Sequence, residues 1–129
     1  MSFVAIPDDL RYTTDHEWVQ LHGTRARIGI TDYAQRALGD VVFVGVPATG
    51  FTVAAGDTVT EIESTKSVSD LYAPVSGSVV AANETLAADP HALNTDPYGS
   101  GWICEIEMSD PGEWNTLLDA GGYRSIVEG

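Results

Sequence analysis

An internal repeat constrains the fold of this chain more than any other feature of the sequence. When the sequence is shifted by 27 residues, segment 47–59 aligns with segment 74–86, and six of the 13 aligned positions are identical. Each segment opens with Pro-x-x-Gly, which is a turn signal. Chance recurrence of such turns is the alternative explanation. We predict two similar β units packed about a pseudo-twofold axis.

Short apolar and β-branched runs between Gly, Pro, Asn and Asp residues predict a mainly β sandwich or barrel. The runs are Trp18 to Leu21, Ala26 to Ile30, Val41 to Val46, Thr58 to Glu63, Val68 to Tyr72, Ser78 to Ala81 and Trp102 to Met108. Short peripheral helices are expected at Tyr33 to Leu38, near Glu84 to Ala88, and at about 111–120, where Pro111 would begin the helix and Gly121-Gly122 would end it. The length fits one domain over residues 1–129.

The repeat also predicts where the functional residue lies. The segment between its two halves, about 59–73, has residue 66 at its midpoint, so a hairpin there would carry Lys66 at its tip. Lys66 is the only lysine in the chain, and retention of a single lysine at this position indicates chemistry at its amine. A lysine offers a nucleophilic amine on a flexible four-carbon stem. An ordinary exposed turn lysine is the alternative.

Composition excludes several classes of function. A net charge of −13 argues against nucleic acids and anionic membranes as partners, because both attract positive charge. The single cysteine, Cys104, alternates with Trp102 and Ile106 and is expected in the core. His16-Glu17 lacks the second histidine of H-E-x-x-H, so no metal site is predicted. The first 11 residues resemble neither a signal peptide nor a transit peptide, which favours a cytoplasmic protein.

Five sequence blocks resemble one known family. The segment ESTKSVSDLYAPVSG, residues 63–77, closely resembles the lipoylation site of glycine cleavage H proteins. HEWV at 16–19, GITDYAQ at 29–35, LGDVVFV at 38–44 and DPYGSGW at 96–102 look like the same family and occur in its order. The resemblance covers residues 12–123. Thr65, Ser67, Gly45 and Ala37 depart from the residues usual at these positions.

The resemblance implies a lipoyl-domain-like barrel-sandwich hybrid with added helices, including one near the C-terminus. It implies a carrier and not an enzyme, with no catalytic residue and with lipoic acid joined to Lys66 as an amide. Glu63 and Gly77 match positions used for recognition by the lipoylating enzyme, a lipoate ligase or lipoyl transferase. Glu17 and Asp70 match positions in the cleft that receives the loaded arm, where they would be anionic partners for a cationic amine. Ordinary solvated acids are the alternative for both.

The partners that the resemblance implies are a pyridoxal phosphate-dependent glycine decarboxylase, a folate-dependent aminomethyltransferase and dihydrolipoamide dehydrogenase. Three alternatives remain open. Biotin carriers share the hairpin but usually place methionine on both sides of the lysine, where this chain has Thr65 and Ser67. An enzyme using Lys66 as a Schiff-base nucleophile would need a desolvated pocket. A lipoyl relay to other complexes would keep the cofactor and change the task.

Overall fold

Antiparallel strands arranged in two sheets make up most of the molecule. The computed structural model describes residues 4–128, and residues 1–3 and 129 of the predicted domain lie outside this range. The larger sheet has the order β1-β2-β3-β9-β8-β5 and the smaller has the order β4-β6-β7. The strands are β1 (Arg11–Tyr12), β2 (Glu17–His22), β3 (Arg25–Ile30), β4 (Val41–Val44), β5 (Thr52–Val53), β6 (Thr58–Ser64), β7 (Val68–Tyr72), β8 (Gly77–Ala82) and β9 (Cys104–Met108).

The main core lies against the inward faces of both sheets. Alternation places one side chain in two on the inner face of a strand, and Ile28, Ile62 and Ile106 are almost completely buried there. Cys104 is also buried, as expected, and burial raises the pKa of its thiol to about 12. A thiol held neutral in this way packs as a small apolar side chain.

The two repeat segments meet through β5 and β8. Thr52 lies opposite Ser78 and Val53 opposite Gly77 in an antiparallel pair. Antiparallel pairing is compatible with a local twofold axis that runs perpendicular to the two strands. The segments are not equivalent in secondary structure, however, because the first ends in the start of β6 and the second ends in a 3₁₀ helix at Glu84–Ala87.

Short helices surround the sheets, which confirms the predicted fold class. The α-helices are α1 (Asp32–Leu38), α2 (Ala92–Thr95) and α3 (Ala120–Glu128), and a second 3₁₀ helix spans Pro111–Thr116. The N-cap of α1 is Thr31, whose side chain accepts a hydrogen bond from the backbone N of Ala34 at 3.2 Å. Among residues 4–128, no helix has both the length and the apolar character needed to cross a bilayer.

The helix predicted at about 111–120 is wrong in its bounds and in the role given to the glycine pair. Pro111 begins only a 3₁₀ helix, and Leu118 then exchanges two backbone hydrogen bonds with Tyr12, at 2.8 and 2.9 Å. This bridge requires an extended backbone, so the helix cannot continue through residue 118. Asp119 accepts a hydrogen bond from the backbone N of Gly122 at 2.8 Å, and α3 begins with Gly121-Gly122 in its first turn.

Candidate functional site

The hairpin of β6 and β7 has Lys66 in its turn. Ser64 ends β6, and its hydroxyl oxygen accepts hydrogen bonds from the backbone N of Lys66 and of Ser67, each at 3.1 Å. The backbone N of Thr65 donates to the carbonyl oxygen of Asp40 at 3.0 Å, which fixes the turn against the end of α1. The small polar residues of this turn therefore hold its backbone and leave space around the lysine.

The side chain of Lys66 is exposed and lies over Gly39, the C-cap residue of α1. A Cβ placed at Gly39 would be 3.1 Å from Cε of Lys66, and Gly39 has a φ of 79°, a conformation that side-chain-bearing residues rarely adopt. None of the ion pairs among residues 4–128 includes Lys66. The amine is therefore exposed and open to acylation. The methylene groups of the Lys66 side chain lie over the backbone of Gly39.

A cleft of about 310 Å³ adjoins the hairpin. Its walls come from β7, from α1 and from the segment that leads into β2. Apolar and aromatic side chains contribute much of the lining, and acidic and hydroxyl groups border it: Ile30, Tyr33, Ala34, Ala37, Leu38, Ile62, Val68 and Leu71 are apolar or aromatic, and Asp15, His16, Glu17, Ser67, Ser69 and Asp70 are polar. A flexible arm on Lys66 that ends in an apolar ring has both the space and the surface chemistry to lie here.

Glu17 borders the cleft but is almost wholly buried, with 2% of its surface exposed. Its carboxylate accepts hydrogen bonds from the backbone N of Tyr72 at 2.7 Å and from the hydroxyl of Thr13 at 2.9 Å. Burial raises the pKa of this carboxyl to about 7, and the two hydrogen bonds oppose that rise. Asp70 also borders the cleft but is exposed on β7. The structure therefore brings both predicted acids to the cleft in different environments.

Sequence reasoning missed His16, which it considered only as a metal ligand. His16 borders the cleft with a φ of 67°, and its ring stacks on Tyr33 with centroids 4.6 Å apart. Its Nδ1 is 2.9 Å from the hydroxyl of Tyr123, which is 2.7 Å from the hydroxyl of Thr31. Tyr123 lies more than 100 residues away in sequence, so no local pattern indicates this network.

The two predicted recognition residues occupy very different positions. Glu63 is exposed on β6 directly opposite Val68, next to the hairpin turn. Gly77 is buried between β5 and β9, with a φ of 156°, and a Cβ there would collide with the carbonyl oxygen of Glu107. The fold itself therefore requires glycine at position 77. Within residues 4–128, no cluster of three or more His, Cys, Asp or Glu side chains could hold a metal ion.

Comparisons with known proteins identify one family. The glycine cleavage H-protein family matches residues 10–129. A glycine cleavage system H protein from Nocardia farcinica is 53% identical over 95% of this chain and 97% of its own length, and one from Mycolicibacterium vanbaalenii is 56% identical over 95% and 96%. The crystal structure of a glycine cleavage system H protein from Mycobacterium marinum superposes with a TM-score of 0.87 at 45% identity, covering 95% of this chain and 99% of that one.

Proposed function

Because the chain belongs to the glycine cleavage H-protein family, the carrier component of that system and not an enzyme, we propose that Lys66 bears its lipoyl group as an amide. The observation that carries this proposal is the position of the only lysine. Lys66 lies exposed in a hairpin turn and adjoins a cleft large enough for a tethered group. Acylation of the amine also removes its positive charge.

When bound, the lipoyl group supplies a dithiolane that carries an aminomethyl group from glycine decarboxylase to aminomethyltransferase and is reoxidised by dihydrolipoamide dehydrogenase. The chain's own residues do the positioning. The hydrogen bonds of Ser64 fix the turn from which the arm extends. Ile62 and Leu71 give part of the cleft an apolar surface. This arrangement keeps the arm tethered at a high effective concentration for each partner.

In this proposal Asp70 and Glu17 both interact with the cationic amine of the loaded arm, and Asp70 contributes more of the negative charge. Asp70 is exposed and offers an oxygen to the cleft without first giving up other partners in the core. Glu17 already accepts hydrogen bonds from Tyr72 and Thr13, and its pKa of about 7 leaves it partly protonated at neutral pH. Asp70 therefore supplies most of the charge, and Glu17 shapes the end of β7 through Tyr72.

Recognition by the lipoylating enzyme, a lipoate ligase or a lipoyl transferase, uses Glu63 directly. Its exposed carboxylate lies next to the turn and can pair with a basic side chain of that enzyme. Gly77 contributes indirectly, because it lets β8 pack closely against β9. This packing supports the sheet structure that positions the hairpin of β6 and β7. We place the carrier in the cytoplasm, where its soluble partners act.

Lipoylation of lysine variants by a purified ligase tests the proposed attachment site, and one of these variants places the single lysine elsewhere in the chain. Purified lipoate ligase with lipoate and ATP should add one lipoyl group to the wild-type chain, on the peptide that contains Lys66, and none to Lys66→Arg. A Lys66→Arg, Arg36→Lys double variant keeps one lysine, on α1, and should also stay unmodified. Glycine decarboxylase should release carbon dioxide from glycine only with the lipoylated wild type. Modification of the double variant, or equal turnover with Lys66→Arg, would refute the proposal.

A further inference from the structure

A row of exposed side chains crosses the outer face of the smaller sheet, one step from the hairpin turn. Phe43 on β4 lies opposite Glu63 on β6, and Glu63 lies opposite Val68 on β7. Residues directly opposite one another on neighbouring strands project from the same face. Phe43 is 50% exposed and Val68 is 60% exposed, so an acid lies between two exposed apolar side chains. We call these three residues the outer row.

A β-bulge is the reason that Phe43 belongs to the outer row. Val41 lies opposite Ser64 and Phe43 opposite Glu63, so β4 advances two residues where β6 advances one, and Val42 is the extra residue. Regular alternation from the buried Val41 would have turned Phe43 inward. The bulge turns it outward instead, while Val44, the next residue, is buried again. The sheet thus places a phenylalanine in water next to the turn, against the usual preference for burial.

The surroundings of the outer row are acidic. Glu61 and Asp70 lie opposite each other two residues from Glu63 and Val68, and both are exposed. Lys66 is the only basic residue of the hairpin, so the three acids of the hairpin outnumber it even before the amine is acylated. The outer row therefore combines two exposed apolar side chains with a negative electrostatic potential. A complementary protein partner would have an apolar socket surrounded by basic side chains.

The short distance between the outer row and Lys66 indicates which partner binds there. An enzyme that acylates Lys66 must receive the bare amine in its active site, so it has to contact the residues immediately around the turn. Enzymes that meet the far end of a completed arm can dock at a greater distance from the turn. We propose that the outer row is the docking surface of the lipoylating enzyme, with Phe43 and Val68 in its apolar socket and Glu63 paired with a basic side chain. This inference rests on the proposed attachment at Lys66.

The experiment measures lipoylation kinetics of the unmodified protein with purified lipoate ligase, lipoate and ATP. Phe43→Thr and Val68→Thr keep β-forming residues on the strands, and each should raise the KM for the carrier about 10-fold with little change in kcat, the effect of losing about 1.4 kcal/mol of binding. Leu21→Thr is the matched control, because Leu21 is 41% exposed on β2 of the other sheet. Its KM should stay at the wild-type value.

The charge is tested separately with Glu63→Gln and with Glu84→Gln, which neutralises an exposed acid of the 3₁₀ helix at Glu84–Ala87. Glu63→Gln should raise the KM several-fold and Glu84→Gln should not. Thermal unfolding of each variant separates lost docking from lost folding. If the wild type is lipoylated and folded variants of the outer row are lipoylated with its KM, the docking proposal is wrong. If the wild type gains no lipoyl group at Lys66, the proposed function fails instead.

A last measurement assigns the partner. Phe43→Thr and Glu63→Gln are driven to full lipoylation with excess ligase and then given to glycine decarboxylase with glycine. Val68→Thr is left out of this step, because Val68 also lines the cleft proposed to receive the arm. Wild-type rates of carbon dioxide release are expected, because the decarboxylase meets the end of the arm. Normal lipoylation with impaired decarboxylation would show that the outer row binds the decarboxylase and would overturn the assignment.

Discussion

At the scale of single residues, Glu17 shows how burial changes the chemistry of a carboxyl group. Its two hydrogen bonds satisfy the carboxylate, yet removal from water still raises its pKa from 4.5 to about 7. The folded chain therefore binds a proton at Glu17 more tightly than the unfolded chain does. Between these two pKa values, the contribution of Glu17 to stability falls as the pH rises.

Glu17→Gln should remove this pH dependence. The amide oxygen can accept from Tyr72 N, and the amide nitrogen can donate to Thr13, so the local packing survives. The wild type should lose about 2–3 kcal/mol of its free energy of unfolding between pH 5 and pH 8 through Glu17, and the variant should not show this loss. Urea unfolding at both pH values measures the difference, with near-ultraviolet circular dichroism as the check on tertiary structure. A stability difference that is the same at both pH values would contradict the assigned pKa.

At the scale of elements, the C-terminal helix α3 is attached to the cleft through one tyrosine. The ring of Tyr123 stacks on Tyr12 with centroids 4.7 Å apart, and its hydroxyl contacts both His16 and Thr31. Thr31 is the N-cap of α1, so one buried hydroxyl joins two helices to a residue at the cleft wall. Burial raises the pKa of Tyr123 to about 12, so it stays neutral and keeps its proton for this network.

Tyr123→Phe should loosen α3 without unfolding the sheets. Loss of the hydroxyl leaves polar atoms of His16 and Thr31 with one partner fewer, at a cost of about 1–2 kcal/mol. Hydrogen exchange should become faster in α3 and change little in β3 and β9. Tyr33→Phe, which removes a hydroxyl from an exposed ring at the same cleft, is the control and should leave α3 protected. Equal exchange in both variants would count against the anchoring role.

At the scale of the whole molecule, charge is the dominant feature. The net charge is −13, and four of the five arginines already form ion pairs with acids: Arg25, Arg27, Arg36 and Arg124. Many acids therefore have no nearby cation to offset them, and mutual repulsion opposes the compact state. The same field attracts partners with basic docking faces.

Salt should accordingly stabilise the fold. Raising NaCl from about 0.02 M to about 0.3 M shortens the screening length from about 20 Å to about 6 Å, which weakens repulsion between distant acids. We expect the Tm to rise by several degrees over this range, measured by circular dichroism. Choline chloride at equal ionic strength should give the same rise if screening is the cause. A rise seen with sodium alone would indicate specific ion binding, and a constant Tm would show that repulsion is negligible.

Local patterns in the sequence determined most of the strands and the position of Lys66. Alternation indicated Thr58 to Glu63 and Val68 to Tyr72, and the strands span Thr58–Ser64 and Val68–Tyr72. The sequence predicted a helix at Tyr33 to Leu38, and α1 spans Asp32–Leu38 with Thr31 as its N-cap, whose hydrogen bond depends only on neighbouring residues. The repeat located the hairpin turn in a different way, because residue 66 is the midpoint of the segment between its two halves.

Tertiary structure decided whatever depends on residues far apart in the chain. The bridge between Tyr12 and Leu118 ended one helix and displaced the next, and no periodicity near residue 118 indicates it. The bulge in β4 turned Phe43 outward only because β6 pairs with it in that register. The burial of Glu17, and with it its pKa, follows from packing against Tyr72 and Thr13. The sequence alone determined which residue offers an amine, whereas packing between distant segments determined the cleft, the acids and the exposed surface around it.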